Sequence, residues 1–291
     1  MTTSPTLFVS GAGGKLGRLV LEALVSRGYG GRIVAGTRRP GELQVAGVEV
    51  RQSDLSDPAG FEAALAGTDR LLLISTDVIG EARRTLHTNA VNAAKAAGMK
   101  RIIYTSMPHP EPGSIIPMAD DHYPTEQAIK ASGLDYTVLR ASWYAENLLQ
   151  SLPPALASGK WYSSAGAGRI SHVARADVAR AAAGALIDET PGNRVLTVTG
   201  PEALTNREIA AIATELTGRP IEVIDVTDAD LTAGMVAAGL PQGVAELLTT
   251  FDIGQRHGVL SMVTNAVEQL WGQKPQSVRA FLTEHRAALG A

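Results

Sequence analysis

Three glycines at fixed spacing, Gly11-x-x-Gly14-x-x-Gly17, stand between a short apolar run and an amphipathic segment, and they leave few folds open to the chain. Residues 6–10 read as a strand and residues 16–27 as a helix, so the glycines form the turn between them. Gly11 permits the tight turn out of the strand, Gly14 removes a side chain where backbone must approach a pyrophosphate, and Gly17 lets the helix lie close to the sheet. The helix start adds unpaired N–H donors and the positive end of the helix dipole. A Walker A loop does not fit, because Lys15 is followed by Leu16 rather than Ser or Thr. The turn therefore predicts a dinucleotide site built from Gly11, Gly13, Gly14, Lys15, Leu16 and Gly17.

The residues that follow keep the same rhythm. Apolar runs at 6–10, 32–36, 48–52, 70–75, 101–105 and 136–140 have the length and the Val/Ile/Leu content of strands covered on both faces. Helical segments lie between them at 16–27, 59–66, 81–97 and 123–132; in the third, Leu86, Ala90, Val91, Ala94 and Ala97 form one apolar stripe. Repeated βαβ units predict an α/β fold, a doubly wound parallel sheet of the Rossmann type. Beyond residue 150 the pattern changes. Leu152-Pro153-Pro154 is expected to interrupt a helix, and strand-like pieces at 170–173, 195–199 and 221–225 alternate with helices at 177–187, 206–216 and 228–238. Thr205-Asn206-Arg207-Glu208 has the spacing of a capping box, and Gly218-Arg219-Pro220 stops its helix. The reading is a dinucleotide-binding domain at 1–150 and a smaller C-terminal α/β substrate lobe at 151–291, with some crossing of the chain between them.

Composition narrows the function. Apolar residues make up 45% and charged residues 19%, enough for a substantial core, and 26 basic against 29 acidic residues leave a net charge of −3 with no basic tract. That argues against nucleic acid as a partner. The chain has no cysteine, which removes disulfides, thiol nucleophiles and Cys-ligated metals, and fits a cytoplasmic protein. The polar start, Met1-Thr2-Thr3-Ser4-Pro5, lacks the basic n-region of an export signal, and Leu71-Leu72-Leu73-Ile74 is far short of the roughly 20 residues that span a bilayer. No membrane partner is expected; a monomer or homodimer is. His87, His109, His172 and His257 show no metal-ligand spacing, and no metal site is expected.

The second strand bears on which dinucleotide. An NAD site places Asp or Glu about 20 residues past the fingerprint, on the ribose 2′-hydroxyl. Here Arg38 and Arg39 stand there with no acid, and a guanidinium grips the 2′-phosphate that a carboxylate would repel. NADPH is therefore expected over NADH; the alternative is a pair of solvated loop charges before Pro40. Asp54 and Leu55 follow the third strand, where a carboxylate can accept from the adenine amino group, while Asp57 suits the cap of the next helix better. Ser75 and Thr76 end the fourth strand, and Thr105 and Ser106 the fifth. Carboxyl ends of strands face the ligand crevice, so these four are expected to border the cofactor, with turn or cap roles as the alternative.

Together these residues resemble the NmrA-like branch of the atypical short-chain dehydrogenase/reductases, in particular its bacterial quinone and triphenylmethane-dye reductases. The resemblance covers nearly the whole chain. It rests on residues 11–17, Val50-Arg51-Gln52-Ser53-Asp54, Arg70 leading into Leu71-Leu72-Leu73-Ile74-Ser75, and Ala93-Ala94-Lys95-Ala96-Ala97-Gly98. It continues through Tyr104-Thr105-Ser106, Tyr136-Thr137-Val138-Leu139-Arg140, Trp143-Tyr144-Ala145-Glu146-Asn147 and Arg175-Ala176-Asp177. It implies an NADPH-dependent oxidoreductase passing hydride to a quinone or similar electron-poor conjugated acceptor. The usual Tyr-x-x-x-Lys acid pair of the superfamily is broken here, with Tyr123 followed four residues on by Gln127. A quinone tolerates this, because its reduced oxyanion is a stable phenolate that water can protonate. His122, which the resemblance matches to a histidine of the quinone reductases, is the catalytic candidate. It would orient substrate or relay a proton near neutral pH, or else serve as a structural helix-start histidine. Where the relatives carry asparagine after the Leu-Arg pair, this chain has Ala141. Met107, Ala141, Trp143 and Tyr144 are expected to line the substrate pocket, with packing between the two parts as the alternative for the aromatics. Two other functions stay open: a non-catalytic NADP(H) sensor of the NmrA type, and a reductase of a dye, enone, imine or ketone.

Overall fold

The computed structural model describes residues 4–290; Met1–Thr3, read as part of a polar start, lie outside the described residues. In chain order the elements are β1 (Leu7–Val9), α1 (Lys15–Ser26), β2 (Ile33–Thr37), β3 (Val48–Gln52), α2 (Pro58–Leu65), β4 (Arg70–Leu73), α3 (Glu81–Ala96), β5 (Arg101–Ser106), α4 (His122–Ala131) and β6 (Asp135–Ala141). They continue with α5 (Leu148–Ser158), β7 (Lys160–Ser163), α6 (Arg175–Ile187), β8 (Arg194–Val198), α7 (Asn206–Thr217), β9 (Glu222–Asp225), α8 (Asp228–Ala237), α9 (Gln242–Arg256), α10 (Ala266–Trp271) and α11 (Val278–Glu284).

Seven strands form one parallel sheet in the order β3-β2-β1-β4-β5-β6-β8. Alternate residues of each central strand point to opposite faces, and both faces are apolar. Leu7, Val9, Leu72, Ile103 and Leu139 face α1, α6 and α10, while Phe8, Leu71, Leu73, Ile102 and Val138 face α2, α3 and α4. This double covering is why the strands read as unbroken apolar runs. The chain order reverses between β1 and β4, so the crevice above their carboxyl ends is the switch point where doubly wound sheets bind ligands.

The remaining elements build a smaller layer. β7 and β9 pair in parallel as a second sheet, and α5, α7, α9 and α11 enclose a separate core around Leu152, Ile209, Phe251 and Phe281. The chain crosses between the two parts extensively: α6, β8 and α10, all beyond residue 150, complete the seven-stranded sheet and its α1 face. A single cut at 150 would therefore run through both cores. Among the described residues no helix is long and apolar enough to cross a membrane.

Several local expectations meet a correction. α5 runs straight through Pro153 and Pro154; the two N–H groups lost there would have bonded the carbonyls one turn back, and burial of Leu148, Leu152, Ala155 and Leu156 outweighs that loss. Residues 170–173 make two isolated bridges, Tyr144 with Val173 and Ile170 with Leu204, rather than a strand. The capping box at Thr205 and Glu208 forms in full, and Gly218 ends α7 in the left-handed conformation.

Candidate active site

The β1–α1 turn is shaped by its glycines. Gly11 sits at φ +61°, which an L side chain would strain, and a Cβ on Gly17 would lie 2.4 Å from the Gly11 carbonyl oxygen and 2.6 Å from Ala12 Cα. The helix can thus reach the sheet only with hydrogen at position 17. The Gly14 N–H donates to the Gly11 oxygen (3.0 Å) and Ala12 N–H to the Gly36 oxygen (3.0 Å), which fixes the loop to β2. Gly14 caps α1 without any side-chain acceptor, and among the described residues the N–H groups of Gly13, Lys15 and Leu16 have no recorded acceptor. Leu16 turns its side chain into the core, so it offers only its amide. Gly14 is exposed and a Cβ there would touch nothing but the Gly11 oxygen, at 3.2 Å. Free amides at an open, side-chain-free helix start are the donor set a pyrophosphate needs, so the residues present fit a dinucleotide.

Around this turn lie three arginines. Arg38, at the end of β2, is exposed, and no hydrogen bond or ion pair is recorded for it among the described residues. Arg39 instead pairs with Glu42 at 3.2 Å. Arg18, which the sequence reading passed over, donates from Nε to the Gly13 oxygen (3.1 Å) and from Nη2 to the Glu42 oxygen (3.2 Å). The only signal for it was a basic residue one turn into a helix that starts at a glycine loop. One oxygen of Asp54 is engaged locally: its Oδ1 accepts from the Ser56 N–H (2.9 Å) and hydroxyl (2.8 Å), and those bonds, with Arg38 nearby, hold its pKa below the usual range, while Oδ2 has no partner among the described residues. Leu55 packs at the edge of the α2 face, and Asp57 caps α2 through the Gly60 N–H at 3.0 Å.

The four hydroxyl residues at the ends of β4 and β5 brace the crevice floor. Thr105 Oγ1 accepts from the Ser75 N–H at 2.8 Å, the Thr76 N–H donates to His87 Nε2 at 3.1 Å, and Ser106 Oγ donates to Glu126 Oε1 at 2.8 Å. Ser10 Oγ accepts from the Ile74 N–H (3.0 Å), closing the seam between β1 and β4.

His122 opens α4 beneath this floor, buried between Arg83 and Tyr104. Arg83 can only donate, so His122 Nε2, 3.1 Å from Arg83 Nη1, is the acceptor and Nδ1 carries the proton, directed at Tyr104 Oη 2.8 Å away. The same logic, with the Thr76 N–H as donor, makes His87 neutral with its proton on Nδ1, which lies 3.1 Å from Thr125 Oγ1. Burial, aided by Arg83, pushes the His122 pKa down to about 3 and that of His87 to about 4. Both His122 nitrogens are engaged in bonds that tie α3, β5 and α4 together, which favours the structural alternative over the relay. Tyr123 is half-buried and Gln127 exposed.

A second buried polar centre lies next to it, joining Ser106 to Glu126 and Arg140, two residues to which the sequence reading gave no role. Glu126, 0% exposed, accepts from Arg140 Nε (2.9 Å) and Nη2 (2.8 Å) as well as from Ser106. Burial works against the Arg140 charge, but the bonds from Glu126 and Glu111 outweigh it and raise its pKa. A glutamate four residues before Lys130 reads as a surface helix pair, which hid its burial.

Of the residues expected at the substrate, the structure brings only some to one place. Met107 and Trp143 pack into the core of the smaller layer, where Trp143 lies 3.7 Å, centroid to centroid, from Phe251. Ala141 points its methyl into the α1-side core with Leu139 and Val198, away from the α4 side. Tyr144 lies under the Arg175 guanidinium at 4.9 Å, and burial pushes its pKa up to about 12. Beside them, a cavity of about 50 Å³ opens at the carboxyl ends of β5, β6 and β8, between Pro108, His109, Arg140, Ser142, Ser171 and Thr197.

Comparison with known proteins places the chain among nicotinamide-nucleotide-binding oxidoreductases. Residues 11–189 match a family profile described as NAD(P)H-binding. The chain is 38% identical over 280 residues to quinone oxidoreductase 2 of Escherichia coli, covering 95% of this chain and 97% of that one. The crystal structure of an E. coli NADPH-dependent quinone oxidoreductase complexed with NADPH superimposes with a TM-score of 0.91 at 36% identity, over 96% of this chain and 99% of that one. Triphenylmethane reductase of Citrobacter sp., complexed with NADP(H), superimposes with a TM-score of 0.88 at 30% identity, over 96% of this chain and 99% of the other.

Proposed function

The chain belongs to the NAD(P)H-binding family, among its NmrA-like oxidoreductases, and from that premise we propose that it uses NADPH to reduce a quinone or similar electron-poor conjugated acceptor. The observation that carries the reading is the bare helix start at Gly14, with Arg38 exposed and, among the described residues, unpaired at the end of the neighbouring strand. The amides of Gly13, Lys15 and Leu16 would hold the pyrophosphate, and Arg38, supported by Arg18, the 2′-phosphate that distinguishes NADPH.

A bound reduced nicotinamide supplies the hydride. The chain's own work is to hold the acceptor against it and keep water out, which is proximity catalysis. A ketone would leave an alkoxide that needs a strong acid at once, and neither Tyr123 with Gln127 nor the neutral His122 provides one. A quinone leaves a phenolate, for which hydrogen-bond donors suffice. The relatives named for quinones and dyes support the same acceptor class.

The test follows NADPH absorbance with small quinones, triphenylmethane dyes and simple ketones. Quinone turnover well above ketone turnover is expected. Loss of NADPH with none of them refutes the proposal.

A further inference from the structure

The cavity at the ends of β5, β6 and β8 is too small for a ring but has room for one or two water-sized groups. It continues the line of the crevice: His109 stands three residues after Ser106, and Ser142 follows Ala141, so its walls begin where the cofactor-facing strand ends stop. From β1, with neighbouring strands about 4.8 Å apart, β6 lies three strand steps along the sheet, on the far side from the 2′-phosphate end at β2.

Most of its donors are already engaged within the protein. Arg140 spends Nε on Glu126 and Nη2 on Glu126 and Glu111, and among the described residues Nη1 has no recorded acceptor. Ser171 donates its hydroxyl hydrogen to the Leu260 oxygen (3.1 Å), and Thr199 donates to the Gly200 oxygen (2.9 Å). With the Ser171 hydrogen on Leu260, Ser142 Oγ is the donor of the 3.2 Å bond to Ser171 Oγ, and its hydroxyl reaches a group in the cavity by turning away from that one neutral partner. At the rim, His109 is the one non-glycine among the described residues with positive φ, +51°; such strain persists where the surrounding fold fixes a side chain's position.

We propose that this cavity seats the acceptor's oxygen, with Arg140 Nη1 and Ser142 Oγ as the donors that stabilise the negative charge developing there. The proposal rests on the quinone reading and deepens it. The acceptor ring lies over the cavity mouth between His109 and the nicotinamide end of the crevice. It gains two electrons and one hydrogen as hydride from the reduced nicotinamide, one carbonyl oxygen becomes an oxyanion held by the two donors, and water then supplies the proton that completes the hydroquinone. The donors replace the missing Tyr/Lys pair without giving up a proton themselves.

Two measurements test it, each on the parent, Ser142→Ala and Arg140→Lys, with a melting curve to confirm folding. The first titrates the cofactor-free protein with 4-nitrophenol, a chromophore that reports whether its oxygen is ionised. The parent should bind it with the phenolate form favoured, and Ser142→Ala should weaken binding about tenfold, in line with the loss of one hydrogen bond to a charge. The second compares a quinone with a triphenylmethane dye that carries no oxygen. Ser142→Ala should lower the ratio of quinone to dye kcat/KM at least tenfold, with kcat for the quinone falling, as expected when an oxyanion donor is lost. Unchanged nitrophenolate binding and an unchanged ratio in folded variants overturn the site and leave the quinone reading standing. Nitrophenolate binding that depends on Ser142, in a parent that reduces no quinone, supports the oxyanion site and refutes the quinone reading.

Discussion

Alanine at Gly17 and alanine at Gly14 should have opposite consequences although the two positions are one turn apart. A Cβ at 17 would sit 2.4 Å from the Gly11 oxygen and 2.6 Å from Ala12 Cα, both backbone atoms of a loop that is itself bonded to β2. Relief requires the helix and loop to part by about 1 Å, an overpacking cost of about 1–3 kcal/mol. At roughly 2–4 °C per kcal/mol for a chain of this size, Gly17→Ala should melt about 2–12 °C below the parent. At position 14 the added methyl meets only the Gly11 oxygen at 3.2 Å, and the backbone there, φ −78° and ψ 171°, is open to any residue. Gly14→Ala should therefore melt within about 2 °C of the parent. Its methyl, however, fills the space where the pyrophosphate must approach, and NADPH affinity should fall on the order of 100-fold, about 2.7 kcal/mol. Differential scanning fluorimetry and a titration of NADPH fluorescence read the two quantities separately. A Gly14→Ala protein that binds NADPH like the parent, or a Gly17→Ala protein with the parent's melting temperature, refutes this division of labour within the turn.

Further outcomes follow from the buried polar groups. Glu126→Gln removes the buried one of Arg140's two charged partners and leaves Glu111 at 3.0 Å, so it should cost about 1–3 kcal/mol, read as a fall in urea midpoint; an unchanged midpoint contradicts the pairing. His87, His122 and His172 have pKa values lowered by burial to about 4, 3 and 4. The unfolded chain then takes protons that the folded chain refuses, so the stability is full above the ordinary histidine value near 6.5 and is lost as pH falls toward 4. Each histidine contributes a slope of at most about 1.4 kcal/mol per pH unit, and urea midpoints between pH 7 and 5 should decline accordingly; a flat profile over that window contradicts the burial. Trp143→Ala should lower the melting temperature by removing its contact with Phe251, and should raise the quinone KM less than Ser142→Ala does, because Trp143 packs in the smaller layer's core.

How much of this can be read from sequence depends on whether the determinants are local. β1, β2, β4, β5 and β6 are buried on both faces, so each appears as an apolar run whatever its neighbours are, and the glycine turn is recognisable because its spacing is set by the turn's own sterics. β7 is not readable: Lys160-Trp161-Tyr162-Ser163 is half-exposed, and it is a strand only because β9, some 60 residues later, pairs with it. α5 is hidden by Pro153 and Pro154, since tertiary burial rather than propensity keeps it helical. In the site, Gly14 and Arg38 announce themselves by position. Glu126 and Arg140 do not, because their pairing arises from burial and from the juxtaposition of α4, β5 and β6. His122 shows the converse: an imidazole near a crevice invites a catalytic role, and only its two partners reveal a neutral ring with both nitrogens engaged.

Binding of NADPH and NADH to the parent and to Arg38→Ala, followed by nucleotide fluorescence, puts the central electrostatic claim to the most direct trial. The account predicts that the parent prefers NADPH, and that removing the guanidinium weakens NADPH about 10- to 100-fold, the worth of a charged hydrogen bond, while NADH binding barely changes. Equal losses for the two nucleotides, or a parent that binds neither, would contradict it.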